Sequence, residues 1–321
     1  MASIRSFLLA TALPLSLLAC GGDDGGGGTV IPEGDHYQYV SSRVLVPENN
    51  NQSREYGLDL NGDNTVDNQL GMVLGTLATM GFEIQVTVDE AVAEGSIILL
   101  VDFQTTDFTN AGAAGLKVLL GATPMPQPCT DPMMPTPATC GKHLTGTGSF
   151  TIDPASPESA AVGGKIVNGT FTGGPGEITL QIALGGADAI TLNLIGARAK
   201  ASGITADGMT SVVFGGAITE EQLNSEVIPA IAAQLEPTIA GDCTDRMNPT
   251  GGCGCTAGST GKTVLDLFDS MPKDCTVTAL EIQNNSLIQS LLAPDVNIDG
   301  MPALSLGIKA EGKKATFPAQ N

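Results

Sequence analysis

The chain has 321 residues and a formal charge of −20, from 34 acidic against 14 basic side chains. Such a field repels nucleic acid and draws cations, and no basic run or basic helix face offsets it, so no nucleic-acid partner is expected. Charged residues are 15% of the chain, against roughly 25% in soluble domains, and 41 Gly with 19 Pro fit a turn-rich β protein.

"MASIRSFLLATALPLSLLAC" carries one charge, Arg5, then an apolar run from Phe7 to Ala19. The run is too short for a spanning helix and reads as a secretory signal, residues 1–19. Leu17-Leu18-Ala19-Cys20 resembles the lipobox of bacterial lipoproteins. In that family the thiol after the small residue is acylated and the chain is cut before it, so the resemblance implies palmitate-type acylation at Cys20. Gly21 rather than Asp follows, which by the same resemblance implies the outer membrane. "GGDDGGGG" at 21–28 is a flexible tether, so 20–35 is expected to link the anchor to the domain. Several acyl chains give the affinity that a stable membrane partner needs.

Residues 36–321 are expected to form a single β-rich domain. The fold class expected is mainly β with several peripheral helices and an antiparallel β-sandwich-like core. "YQYVSSRVLV" (37–46) reads as a first strand, and "PENNNQS" (47–53) as a polar turn. After an acidic loop, Leu70, Val73, Leu74 and Leu77 recur at helical spacing and Gly81 supplies a stop. A second helix is expected over 84–94, with Ile84, Val88 and Val92 on one face and Gly95 ending it. "SIILLVDFQT" (96–105) reads as a well-buried strand. Leu116, Val118 and Leu120 alternate, as do Phe150 and Ile152, then Ile178, Leu180, Ile182 and Leu184, then Ile190, Leu192 and Leu194. Period two with Gly-rich turns between suggests antiparallel hairpins. Thr219 with Gln222 reads as a capping box ahead of a helix to about 240 that Pro229 should kink. A short helix is expected near 263–270, and Thr278 with Glu281 reads as a second capping box. "SLIQSLL" (286–292) continues the helical content, and "ALSLGIKA" (303–310) reads as a last strand.

Apart from Cys20, six cysteines remain: Cys129, Cys140, Cys243, Cys253, Cys255 and Cys275. An even number in an exported chain reads as disulfides. Proximity favours Cys129–Cys140, closing a Pro- and Met-rich loop within 121–145. In the Cys-rich segment 241–275, Cys243–Cys253 with Cys255–Cys275 is the expected pairing. A zinc reading of Cys253-Gly-Cys255 is disfavoured, because zinc pairs usually have two or more spacer residues.

The stretch that carries chemistry is "DLNGDNTVDNQL" (59–70). It fits in part the calcium loop of EF-hand and dockerin proteins, which draws ligands from positions 1, 3, 5, 7 and 9 and from an acid at 12. The matching residues are Asp59, Asn61, Asp63, the carbonyl of Thr65, and Asp67. A divalent ion would relieve their mutual repulsion. Asn64 stands where Gly is usual, a mild departure, since Asn tolerates the left-handed conformation. Leu70 stands where the bidentate acid belongs, a serious one. Five protein ligands fall short of the six to eight that calcium takes. The loop should therefore bind weakly or be completed by a distant residue. The competing reading is a solvated turn with Asp67 capping the helix that follows. "DVNIDGMPALSLG" (295–307) aligns on 59–71 without a gap, with Ala303 where Asp67 stands. It is either a degenerate second loop or a turn before a strand.

Other constellations carry less. "GSTGKT" (258–263) lacks the first Gly of a phosphate-binding loop, Thr256 standing in its place. The two histidines, His36 and His143, lie near no nucleophile motif, so no enzyme is expected. Trp is absent, and Tyr37, Tyr39 and Tyr56 read as packing rather than a glycan platform. Met125, Met133 and Met134 read as loop filler. With its lipobox, Gly-rich tether and acidic segment before a helix, the chain resembles uncharacterised lipobox-type surface lipoproteins of bacteria. The residues that carry this are Cys20 and Asp59 to Asp67, and they imply a location and an ion, not an activity. The expected function is a binding or structural surface module at the outer membrane, with a structural calcium ion and an extracellular ligand or surface protein as partner. The alternative is an extracellular hydrolase using paired carboxylates.

Overall fold

The computed structural model describes residues 30–79, 81–131, 135–136, 138–157, 161–182, 189–270 and 272–319. The strands are β1 (Asp35–Leu45), β2 (Leu99–Thr105), β3 (Ala111–Met125), β4 (Gly148–Ile152), β5 (Val162–Val167), β6 (Thr170–Ile182), β7 (Ile190–Thr205), β8 (Gly208–Ile218), β9 (Val296–Ile298) and β10 (Met301–Thr316). They belong to one sheet. The protein is mainly β and antiparallel, with several helices. Eight strands close on themselves: β1, β2, β3, β5, β6, β7, β8 and β10 each pair antiparallel with the next, and β10 returns to β1. Strands that meet in chain order make an up-and-down barrel, and closure removes the exposed edges. The two faces of a sandwich have become opposite walls of one sheet.

Alternation explains what fills it. Tyr39, Val101, Phe103, Leu116, Val118 and Phe171 are all buried in the main core, with Phe103 edge-on to Phe171 at 5.2 Å. Their neighbours Val40, Ile98, Leu100 and Leu119 point the other way. They would be wet in a bare barrel. β4 covers them: it pairs antiparallel with β3 and parallel with the end of β10, and lays Phe150 across them. Burial on both faces is why "SIILLV" is apolar at consecutive positions instead of alternating.

One end of the barrel has short turns. Val167 pairs with Thr170, leaving Asn168 and Gly169 at φ 51° and 76°, the left-handed pair of a type I′ hairpin. The chain enters at this end, where the Glu33 N–H donates to the Ala113 carbonyl. The other end collects the helices. The β1–β2 connection holds α1 (Asn50–Tyr56), α2 (Gln69–Thr79) and α3 (Ile84–Glu94). The β8–β10 connection holds α4 (Glu220–Gln222), α5 (Ile228–Asp242), α6 (Thr260–Phe268), α7 (Ala279–Asn284) and α8 (Ser286–Leu291). One core runs from the barrel interior through these helices. No single described helix is long and apolar enough to cross a membrane.

Several local expectations change. "PENNNQS" is not a turn: Asn49 accepts from the N–H groups of Asn51 and Gln52 and starts α1, whose Ser53 and Tyr56 are buried. Pro229 follows a π turn over Leu223–Val227. Gln222, Val227 and Ile228 all keep right-handed helical backbone, so α4, the π turn and α5 run on as one helical stretch whose α pattern is interrupted just before the proline. Thr219 caps Gln222, but the Gln222 side chain accepts from Asn193 N–H on β7, so the box is half formed. The Thr278–Glu281 box is complete. Leu184, Met133 and Met134 lie outside the described residues.

Cys129 bonds to Cys140 as expected. The other pairing differs: Cys243 bonds to Cys255 and Cys253 to Cys275. The reason is a reversal of the chain. Gly252 and Cys253 adopt φ 78° and 60°, and the strands fold back with Thr244 N–H on the Gly254 carbonyl and Asp245 N–H on the Cys253 carbonyl. That ladder sets Cys243 opposite Cys255 and leaves Cys253 free to reach Cys275. Partial reduction, alkylation and peptide sequencing should recover these pairs. A Cys243–Cys253 link would contradict the fold here.

Candidate metal centre

The acidic loop lies on the outside of the barrel. Leu60 packs with Ala217 of β8 and with Val296, Ile298 and Ala303 of the β9–β10 hairpin, and Leu58 joins them. Gly307 lets the incoming chain lie close: a Cβ there would stand 2.2 Å from the Tyr56 carbonyl. The loop is closed at its base by its own ends. Asp67 N–H donates to the Leu58 carbonyl at 3.0 Å, and Leu60 N–H donates to Asp67 Oδ2 at 2.8 Å.

Inside the loop, the expected ligand residues turn back on the backbone. Asp59 Oδ1 accepts from Gly62 N–H at 2.6 Å and Oδ2 from Asn64 N–H at 2.9 Å. Asn61 Oδ1 accepts from Asp63 N–H, and Asp63 Oδ1 from Thr65 N–H at 2.7 Å. The Thr65 N–H is the main reason the Asp63 carboxyl is held below its ordinary range. Asn64 takes φ 65°, the left-handed conformation the spacing asked of it. Thr65 is exposed.

Asp67 differs from the rest. It is 8% exposed. Burial pushes its carboxyl up, the Leu60 N–H works against that, and the charges of Asp295, Asp63 and Asp59 raise it further. Asp295 opens the second acidic stretch, and the two matching stretches meet in space where Leu60 packs with Val296, Ile298 and Ala303. That second stretch is itself a hairpin, with Ile298 paired to Met301 across Asp299 and Gly300. Its Asp295 accepts from Ser305 N–H and from the Ser305 hydroxyl, which in turn accepts from Gln69 N–H at the start of α2. Among the described residues, no three His, Cys, Asp or Glu side chains converge closely enough to hold an ion in this arrangement.

The competing reading of the loop, a solvated turn, would have Asp67 cap α2. The cap is Asn68, whose Oδ1 accepts from Gly71 N–H. Asn68 is also the joint of the site. Its Oδ1 accepts from Gly307 N–H at 2.8 Å, and its Nδ2 donates to the carbonyls of Ser53 and Gly307. The N-cap preference of Asn next to the periodic residues of α2 was the signal that could have found it.

The other candidates take structural places. Tyr39 lies inside the barrel and donates to the Thr205 carbonyl. Tyr56 is buried beneath Lys309, and Tyr37 packs on Phe108 at 4.5 Å. His36 Nδ1 lies 2.9 Å from Asp102 Oδ1 on the neighbouring strand. In "GSTGKT", Ser259 caps α6 and Lys262 pairs with Asp266 at 2.6 Å. Cys20 lies outside the described residues. No protein family, characterised protein or solved structure matches this chain.

Proposed function

We propose that the protein is an outer-membrane-anchored surface lipoprotein, acylated at Cys20, that works as a binding or structural module with a calcium-responsive loop. Asp59, Asn61, Asp63, the Thr65 carbonyl and Asp67 would supply the ion's oxygens. Asp295 would be the remote acid that stands in for Leu70. One observation carries the ion: Asp67 is a buried carboxylate whose charged neighbours are carboxylates. An ion there offsets both its desolvation and the repulsion around it. The loop oxygens already accept backbone N–H groups, so the ion must compete with these bonds, which fits the weak affinity of extracellular sites, about 10⁻⁴–10⁻³ M.

With such affinity, 5 mM calcium should stabilise the fold by about 1–2 kcal/mol. The melting temperature should rise by about 2–6 °C, and EGTA should reverse it. A melt that is flat across millimolar calcium would sink the ion. Asp67→Asn gives a second readout. It removes a buried charge and keeps an acceptor for Leu60 N–H, so the variant should melt no lower than the parent without calcium and should not respond to calcium. The anchor is tested separately: Cys20→Ser should abolish palmitate labelling, and persistent label would contradict the lipoprotein reading.

The second reading, a paired-carboxylate hydrolase, draws on one open cavity of about 370 Å³ that Glu48 and Glu83 both line. It requires that Glu48→Gln remove a hydrolytic activity that the parent displays.

A further inference from the structure

A cavity of about 340 Å³ opens between the helices at the capped end of the barrel. This is within the range of small-molecule sites, roughly 300–1,000 Å³. Its floor is core: Val73 of α2, Ile231 and Leu235 of α5, Val264 and Phe268 of α6, and Ile288 of α8 are all buried. Its mouth is exposed, between Thr76 and Thr263, with Leu267 and Leu287 beside them at 37% and 47% exposure. Among the described residues, no charged side chain lines it. Of the three threonines that line it, Thr76 and Thr263 already spend their hydroxyls within their helices, on the Met72 and Ser259 carbonyls, and Thr260 is the third. The walls therefore ask for hydrocarbon.

A second observation adds a polar requirement. A chamber of about 20 Å³ shares Leu77, Phe82, Ile231 and Leu235 with the larger cavity, and Gln234 lines it. Gln234 Oε1 is buried and has no hydrogen-bond partner among the described residues. A buried acceptor left unpaired is costly, so a donor that reaches it gains strongly. One chamber of that size with one polar group is a poor water site, since buried waters make about three hydrogen bonds.

We propose that this cavity binds a small aliphatic molecule carrying one hydrogen-bond-donating end, with the chain against the helix walls and the donor on Gln234 Oε1. A long-chain alcohol is the simplest member of the class. The site is independent of the calcium loop and of the anchor.

The test uses the folded protein with N-phenyl-1-naphthylamine as the fluorescent probe, and 1-decanol against decane as competitors. The probe should bind saturably, and 1-decanol should displace it at least tenfold more effectively than decane. Thr263→Trp, at an exposed rim position, should weaken probe binding at least tenfold while leaving the melting temperature within about 2 °C, as surface substitutions do. Gln234→Leu should keep probe binding and erase the preference for the alcohol. Unsaturable fluorescence, or unchanged binding in Thr263→Trp, would overturn the proposal. So would equal displacement by the two competitors, or a preference that survives Gln234→Leu. A dimer in sedimentation that Thr263→Trp dissociates would instead assign the cavity to a second copy of the chain and overturn it too.

Discussion

Asn68→Ala should cost about 4–6 kcal/mol and lower the melting temperature by about 10 °C or more, the largest effect expected of any single polar substitution here. The side chain is 5% exposed, and all four of its hydrogen bonds go to backbone. Removing it strands the N–H and carbonyl of Gly307, the Ser53 carbonyl and the Gly71 N–H in places water does not reach freely. Each such group costs about 1–3 kcal/mol, and relaxation recovers only part. Asn68→Asp separates the two halves of the interaction. It keeps the acceptor for Gly71 and Gly307, loses both donors, and adds a charge beside Asp67. It should be nearly as damaging as alanine at neutral pH and milder in acid. Chemical denaturation of the three proteins decides it: a loss under about 1 kcal/mol for alanine would mean that Asn68 does not join α1, α2 and β10.

His143 makes stability depend on pH. It is 0% exposed beside the Cys129–Cys140 loop, and neither ring nitrogen has a hydrogen-bond partner among the described residues. Burial lowers its pKa from 6.5 to about 4; the Val92 carbonyl offsets this in part without hydrogen-bond geometry. The unfolded chain therefore takes up the proton at a higher pH than the folded one. Stability from the neutral ring is complete above pH 6.5 and is lost as pH falls from 6.5 to about 4. At about 1.4 kcal/mol per unit, the loss approaches 3 kcal/mol. Asp67 works in the opposite sense. Its folded pKa is raised, so the cost of its buried charge disappears as pH falls, and the two partly cancel in the parent. His143→Leu isolates one of them: the difference in stability between variant and parent should grow steadily from pH 6.5 to pH 4. A constant difference would mean that His143 titrates normally.

What was legible in the sequence followed from strong local signals. The spacing of Ile84, Val88 and Val92 with Gly95 behind them marks α3 with the bounds observed, because a left-handed Gly closes a helix wherever it is placed. The alternation in 178–182 and 190–194 marks β6 and β7, because one face of each is buried. Other features were not legible because they depend on distant partners. Nothing local says that Phe150 will cover Leu100 and Leu119, nor that β10 will return to pair with β1 and close the sheet. The Cys243–Cys255 pairing depends on the left-handed turn at Gly252 and Cys253, against which simple proximity had no answer. In the acidic loop, the run of acids was plain, and so was the missing one at Leu70. That Asp295 would lie near Asp67, from 228 positions further along the chain, was visible only as an alignment of two similar stretches.

We propose that Asp67, with Asp295 from the neighbouring hairpin, finishes a calcium loop. Calorimetric titration of calcium into the parent, Asp67→Asn and Asp295→Asn tests it most directly. One ion per chain should bind the parent, at about 10⁻⁴–10⁻³ M. Asp67→Asn should show no measurable binding, and Asp295→Asn at least tenfold weaker binding. No binding heat in the parent, or equal binding in all three proteins, would contradict it.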